Sequence, residues 1–165
     1  MTFDPGQICR ILNEEQVDYV VVGGLAAVLL GSPLPTEDID ILPSREGSNL
    51  ERLARALARM GAKIRTAGDP VPAPLDAQFL SQMPFMLNLV TEFGILDLTF
   101  DPAGPRRGYG EWDRNASTME IADQLSVRVA SLEDIIDSKR AANRPKDIRA
   151  LPFLESLRDT LSDPD

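Results

Sequence analysis

The chain has 165 residues and not one histidine. That absence removes Ser–His and Cys–His nucleophilic pairs, imidazole metal sites and histidine general bases together. A single cysteine, Cys9, permits neither an internal disulfide framework nor a thiolate metal cluster, and reads as a small core residue of a first helix. Long apolar runs are missing too. The longest, 19–31, is interrupted by Gly23 and Gly24 and falls short of the roughly 18 residues that span a membrane. The start, "MTFDPGQICR", has no basic segment followed by an apolar core, so no secretory signal is expected and the cytoplasm is the expected location. Positive charge is scarce: 17 Lys and Arg face 26 Asp and Glu, a net charge of −9. This argues against a broad electrostatic footprint on nucleic acid but leaves room for a local basic patch. Any chemistry must therefore run on carboxylates, Lys, Arg, hydroxyls or a bound hard cation.

What is present reads as one globular domain over 1–161, with "SDPD" (162–165) a frayed tail. Residues 4–15 form a helix with Asp4 as its cap and Pro5 in its first turn. "VDYVVV" (17–22) is a buried strand, and Gly23-Gly24 then turns into an apolar helix, 25–30. "EDIDIL" (37–42) is a strand of period two. "SNLERLARALARMG" (48–61) is a helix stopped by Gly61, and "AKIRTA" (62–67) a short strand. "FMLNLVT" and "GILDLTF" form a hairpin, and "DPAGPRRGYGEWD" (101–113) reads as a flexible surface loop. "STMEIAD" and "LSVRVAS" make another strand pair. Helices over 131–142 and 145–161 close the chain, with Pro152 breaking or kinking the second. The expected class is α+β: a mixed sheet with helices packed mainly on one face and two C-terminal helices.

The acids carry the chemistry. Residues i and i+2 of a strand share a face, so Asp38 and Asp40 project together, roughly 7 Å apart, while Ile39 and Ile41 fill the core. Asp97, between Leu96 and Leu98, repeats the pattern. If the two strands are neighbours, three carboxylates converge. Unneutralised they repel, and one is forced to hold a proton. A hard divalent cation relieves this, and two Mg²⁺ ions about 3.5–4 Å apart form a clamp for phosphoryl or nucleotidyl transfer. Solvated acids on the wet face of a strand are the plainer alternative. Gly23 and Gly24, ahead of a helix, favour close approach of a phosphate, although a tight turn alone would also explain them.

Together, Val22-Gly23-Gly24, Asp38-Ile39-Asp40 and Asp97 resemble the signature of the DNA polymerase beta-like nucleotidyltransferases. The C-terminal stretch "SLEDIIDSKRAANRPKDIRAL" resembles the minimal nucleotidyltransferases of abortive-infection and toxin–antitoxin systems, the AbiEii-like group. Ser131 and Asp134 suit a capping box, and the stripe Leu132, Ile135, Ile136 leads on to Lys139, aimed at the site or snorkelling at the stripe's margin. Asp147 is either an acid favoured by its helix start or a site residue near Lys139. Arg140, Arg144 and Lys146 suit a small basic rim.

The resemblance implies a Mg²⁺-dependent enzyme that moves an NMP from an NTP to an acceptor hydroxyl. Asp38 and Asp40 would hold two metal ions, and Asp97 would hold the catalytic one and take the acceptor proton. Gly23, Gly24, Thr36, Lys139 and Asp147 would form the nucleotide site. Implied acceptors are a tRNA 3′ end or a protein hydroxyl, with a cognate antitoxin or toxin as partner and no membrane. Two family features are absent: Leu34 stands where an arginine is usual, and Gly24 where a serine is. A non-catalytic binding module or regulatory partner on the same fold is the alternative.

Overall fold

A computed structural model describes residues 2–163. Its elements run α1 (Pro5–Glu14), β1 (Tyr19–Val22), α2 (Gly23–Leu29), β2 (Asp38–Pro43), α3 (Gly47–Arg59), β3 (Lys63–Ile64) and α4 (Ala77–Ser81). There follow β4 (Met86–Thr91), β5 (Gly94–Thr99), α5 (Gly108–Asn115), β6 (Ser117–Ala122), β7 (Leu125–Val129), α6 (Leu132–Ala142) and α7 (Pro145–Ser162). The strands form one mixed sheet, ordered β3-β4-β5-β2-β1-β7-β6. β2 lies parallel to β5 and β1 parallel to β7; the other pairs are antiparallel.

The central strands are buried because their β-branched residues suit a pleated surface covered on at least one side. β1 is buried at all four positions. Tyr19 and Val21 share a face with Ile39, Ile41, Leu96 and Leu98, by the registers Val21↔Ile41 and Ile39↔Leu96. α1 packs there: Tyr19 Oη donates to Asn13 Oδ1 at 2.8 Å, and Cys9, Ile8 and Leu12 are fully buried. α3 joins α1 through Arg59, which pairs with Glu14 and Glu15. Asn49 ties α3 to the sheet, accepting from Asp18 N at 2.7 Å and donating to Ser44 O at 2.8 Å.

The opposite face carries the acids, and α5 covers its β1 end. This helix corrects the reading of 108–113 as loop, whereas 101–107 is irregular as expected. Trp112 is buried to 2% exposure, and Arg128 donates to Asp113 Oδ1 at 2.9 Å. The glycines at 108 and 110 obscure the helical pattern, while a single large indole supplies enough apolar area to fix the turn. Pro152 does not break α7, which runs unbroken from Pro145 to Ser162. The capping box at Ser131 is only half made. Its Oγ accepts from Asp134 N at 3.1 Å, but the Asp134 carboxylate is drawn instead to Arg106 (2.9 Å) and Asn115 (3.0 Å). Ser162 is helical and Asp163 follows it; the rest of the expected tail, 164–165, lies outside the described residues. Among the described residues no helix is long and apolar enough to cross a membrane.

Trp112 also carries a buried indole N–H without a hydrogen-bond partner among the described residues. Such a donor costs roughly 1–3 kcal/mol. Trp112→Phe should therefore change stability by less than about 1.5 kcal/mol, whereas Trp112→Ala should cost about 3–5 kcal/mol. Urea unfolding of the three proteins checks this, and equal losses for Phe and Ala would show that the ring's packing is not what α5 contributes.

Candidate active site

The β2–β5 register decides where the acids meet. Asp38 pairs with Ile95 and Asp40 with Asp97, in parallel, so Asp40 and Asp97 sit side by side on one face with Asp38 two residues along. They open into a cleft of about 1190 Å³ whose walls come from α2, β2, the β4–β5 pair, α6 and α7. Each acid has a different environment. Thr36 Oγ1 lies 3.1 Å from Asp38 O and 3.3 Å from Asp38 Oδ1 and donates to this residue. Arg65 Nη2 donates to Asp97 Oδ1 at 3.1 Å. Asp40 has no hydrogen bond or ion pair on its carboxylate among the described residues. Burial, with Asp38 and Asp97 close by, pushes its carboxyl up to about 7, against the opposing pull of Lys146 and Lys139. Burial raises Asp97 as well, opposed chiefly by its bond from Arg65.

Gly23 exists for Asp40. Its φ is +68°, and a Cβ built there would lie 2.3 Å from Asp40 Oδ2. Only glycine combines that backbone with that approach. The diglycine thus makes room for a carboxylate of the site as well as opening the start of α2 toward the cleft. A Cβ on Gly24 would meet the Thr36 side chain, its Oγ1 at 3.2 Å and its Cβ at 3.5 Å.

The cations come from the α6–α7 corner. Lys139 lines the cleft with its side chain only 16% exposed and its Nζ 3.6 Å from Asp147 Oδ1. Asp147 itself is fully buried and sits behind the cleft rather than in its wall. Arg144 grips it by Nε to Oδ2 (2.7 Å), Nη2 to Oδ1 (3.2 Å) and its own backbone N–H (3.1 Å). Burial pushes the Asp147 carboxyl up, but the bonds from Arg144 outweigh it and hold it below the usual range. A carboxylate so placed orients Lys139 and Arg144 from behind the cleft. Arg140 turns away to Glu155 at 2.8 Å and does not line the cleft, whereas Lys146 and Arg149 do. Arg65 and Arg149 escaped the sequence reading. Arg65 follows a two-residue edge strand, and only the strand order brings it to Asp97.

The donor set suits a hard cation, being all carboxylate oxygen on one face. It is not drawn together in advance: no group of three or more acidic or Cys side chains closes on a metal position among the described residues. Thr36 and Arg65 hold two of the three acids in its place.

Residues 6–87 match the model of the family described as aminoglycoside-2″-adenylyltransferase. A comparison with curated proteins gives no match. Among solved structures, the chain is similar to the lincosamide antibiotic adenylyltransferase LnuA with lincomycin bound, at 17% identity and TM-score 0.61, covering 92% of this chain and 94% of that one. It is similar to ANT(2″)-Ia in complex with adenylyl-2″-tobramycin at 18% identity and TM-score 0.56, covering 93% and 91%. A nucleotidyltransferase-like protein from Paracoccidioides brasiliensis matches at 19% identity and TM-score 0.52, covering 92% and 73%. The chain has the nucleotidyltransferase fold. The family match takes in the chain from residue 6 to residue 87, and these neighbours, all below 20% identical, share its fold.

Gly23→Ala should lower stability by more than about 1 kcal/mol, because alanine is strained at positive φ and its methyl must displace Asp40. Gly24→Ala, against the Thr36 side chain, should cost less. Thermal unfolding ranks the two, and a harmless Gly23→Ala would mean that Asp40 is not held against that backbone.

Proposed function

We propose that the protein transfers a nucleoside monophosphate, AMP from ATP, to a hydroxyl of a small acceptor molecule. The observation that carries this reading is the side-by-side register of Asp40 and Asp97, with Asp38 on the same face, beside a glycine turn and a cluster of cations. Asp38 and Asp40 would hold two Mg²⁺ ions, with Asp97 as a further ligand. Metals bound there would polarise the phosphates and stabilise the attacking and leaving oxygens. The chain's own groups supply the rest. Backbone N–H groups at the start of α2 face the phosphates, and Thr36 steadies Asp38. Lys139, oriented by Asp147, and Lys146 neutralise the triphosphate. Asp97 takes the proton of the acceptor hydroxyl as its oxygen bonds to the α-phosphorus. The bond from the α-phosphorus to the bridging oxygen breaks, and pyrophosphate leaves with that electron pair.

A small acceptor is favoured by the net charge of −9, which opposes capture of a polyanion, and by similarity to enzymes that act on antibiotics. An RNA 3′ end, a protein hydroxyl or a toxin–antitoxin role has support only from the AbiEii-like stretch 131–151. The binding-module alternative draws on Leu34 and Gly24, which remove an arginine and a hydroxyl from the phosphate side.

Millimolar Mg²⁺ should raise the melting temperature, since binding to the native state stabilises it and relieves the repulsion at Asp40. Asp40→Asn should abolish that rise without unfolding the protein. Lys139→Ala should weaken binding of a non-hydrolysable ATP analogue at least about tenfold by calorimetry, as expected for a lost charge-assisted contact. A wild type that binds neither Mg²⁺ nor the analogue would sink the enzymatic reading and leave the binding module.

A further inference from the structure

Beyond Asp97 the acid-bearing face of the sheet stays open toward its edge. The antiparallel β4–β5 register sets Asn88 beside Asp97 and Met86 beside Thr99, on that same face. Met86 and its neighbour Phe85 are 47% and 65% exposed, and Phe153 of α7, 47% exposed, also lines the cleft. Exposed large apolar groups gathered in a cleft wall are a surface for the apolar body of a ligand.

Arg65 sets the charge of this wall. Its single side-chain hydrogen bond among the described residues goes to Asp97, and the side chain is 39% exposed. A guanidinium has five N–H donors in a planar fork, so most of them remain to be satisfied along the cleft. The cleft holds five cationic side chains, Arg65, Lys139, Arg144, Lys146 and Arg149, against four acidic ones, Asp38, Asp40, Asp97 and Asp101. Nucleotidyl transfer engages the first three acids together with Lys139 and Lys146, and Arg144 holds Asp147. On the acceptor side that leaves Arg65 and Arg149 against Asp101, so a polycationic acceptor meets more repulsion than pairing.

We propose that the acceptor is a small hydroxyl compound bearing both an apolar ring and an oxyanion, and that Arg65 binds the oxyanion. The inference rests on the nucleotidyl-transfer reading and adds the substrate class. The ring covers Phe85 and Met86 while the guanidinium fork takes a carboxylate or phosphate, pairing that lysine could not reproduce. Because Arg65 already adjoins Asp97, an acceptor held by it brings its hydroxyl to the group that removes the proton.

Matched probes separate the possibilities. Phenyl β-D-glucuronide and phenyl β-D-glucoside differ by a carboxylate; flavin mononucleotide and riboflavin differ by a phosphate. Tobramycin serves as the polycation and a short oligoribonucleotide as the polyanion. Pyrophosphate release and calorimetric binding are measured in Mg²⁺, with ATP or its non-hydrolysable analogue, on the wild type and Arg65→Gln. The wild type should prefer the anionic member of at least one pair by about tenfold or more, as expected for a charge-assisted contact, and should not use tobramycin. The preferred pair tells carboxylate from phosphate. Arg65→Gln should raise KM for the anionic member to that of its neutral twin, while the neutral twin's KM changes far less. Equal use of both members of each pair, preference for tobramycin or the oligonucleotide, or an equal effect of Arg65→Gln on every probe would overturn the proposal. So would failure of both anionic probes to bind at 10 mM, a concentration roughly tenfold above the top of the usual KM range. Analogue binding is scored separately, so its loss condemns the nucleotidyl-transfer reading, whereas a wrong acceptor preference with intact analogue binding condemns only the acceptor class.

Discussion

Two carboxylates forced side by side on adjoining strands, with their neighbours in the core, set the terms for the rest of the molecule. The parallel β2–β5 pair is held by Ile39, Ile41, Leu96 and Leu98, all fully buried on the other face, so neither strand can slip to separate Asp40 from Asp97. A one-residue shift would exchange the acids for isoleucine and leucine. Having fixed the repulsion, the structure must answer it locally. Gly23 gives Asp40 backbone to lie against, Thr36 satisfies Asp38, Arg65 satisfies Asp97, and Lys139 and Lys146 supply field from α6 and α7.

Those cations need holding in turn. A lysine aimed into a cleft among acids and an arginine at a helix start would both wander without a counter-charge. Asp147 provides it from a fully buried position, and its cost of burial is met by three bonds from Arg144 and the nearby ammonium. The helix start at Pro145 thereby becomes part of the site. The acid that first reads as a helix-dipole partner is both a cap and an anchor, because its N3 position points its carboxylate back at Arg144.

The strands, the acid-bearing face and the lysine stripe were legible in the sequence for a common reason: each depends on a period. Alternation puts Asp38 and Asp40 on one face, the apolar neighbours of Asp97 do the same for it, and helical spacing carries Leu132 to Lys139. What depends on non-local pairing was not legible. Arg65 reaches Asp97 only because β3 adds to β4 and β4 to β5, an order that no single strand announces. α5 was hidden because its glycines and charges outweigh one tryptophan in pattern, although that tryptophan dominates its packing. Arg140 was placed on the rim by proximity in sequence, but one residue past Lys139 the helix has turned about 100°, toward Glu155.

The same division separates the two halves of the cleft. The proposed nucleotide side is built on β1, β2 and β5, where register leaves little freedom, and there the similarity to other nucleotidyltransferase folds is a similarity of constraint. The family match runs over residues 6–87, taking in Gly23, Asp38, Asp40 and Arg65 but stopping before Asp97, Lys139 and α7. Asp97 is joined to the others by pairing in space. The proposed acceptor side is assembled from the β3–β4 edge, a loop and one face of α7, elements that tolerate change because no strand register depends on their surface residues. A fold can therefore keep its metal-and-phosphate geometry while the charge opposite it is rewritten. In this chain that wall carries Arg65 and Arg149, two exposed aromatic rings and a methionine, and on the proposed reading this composition selects among hydroxyl compounds.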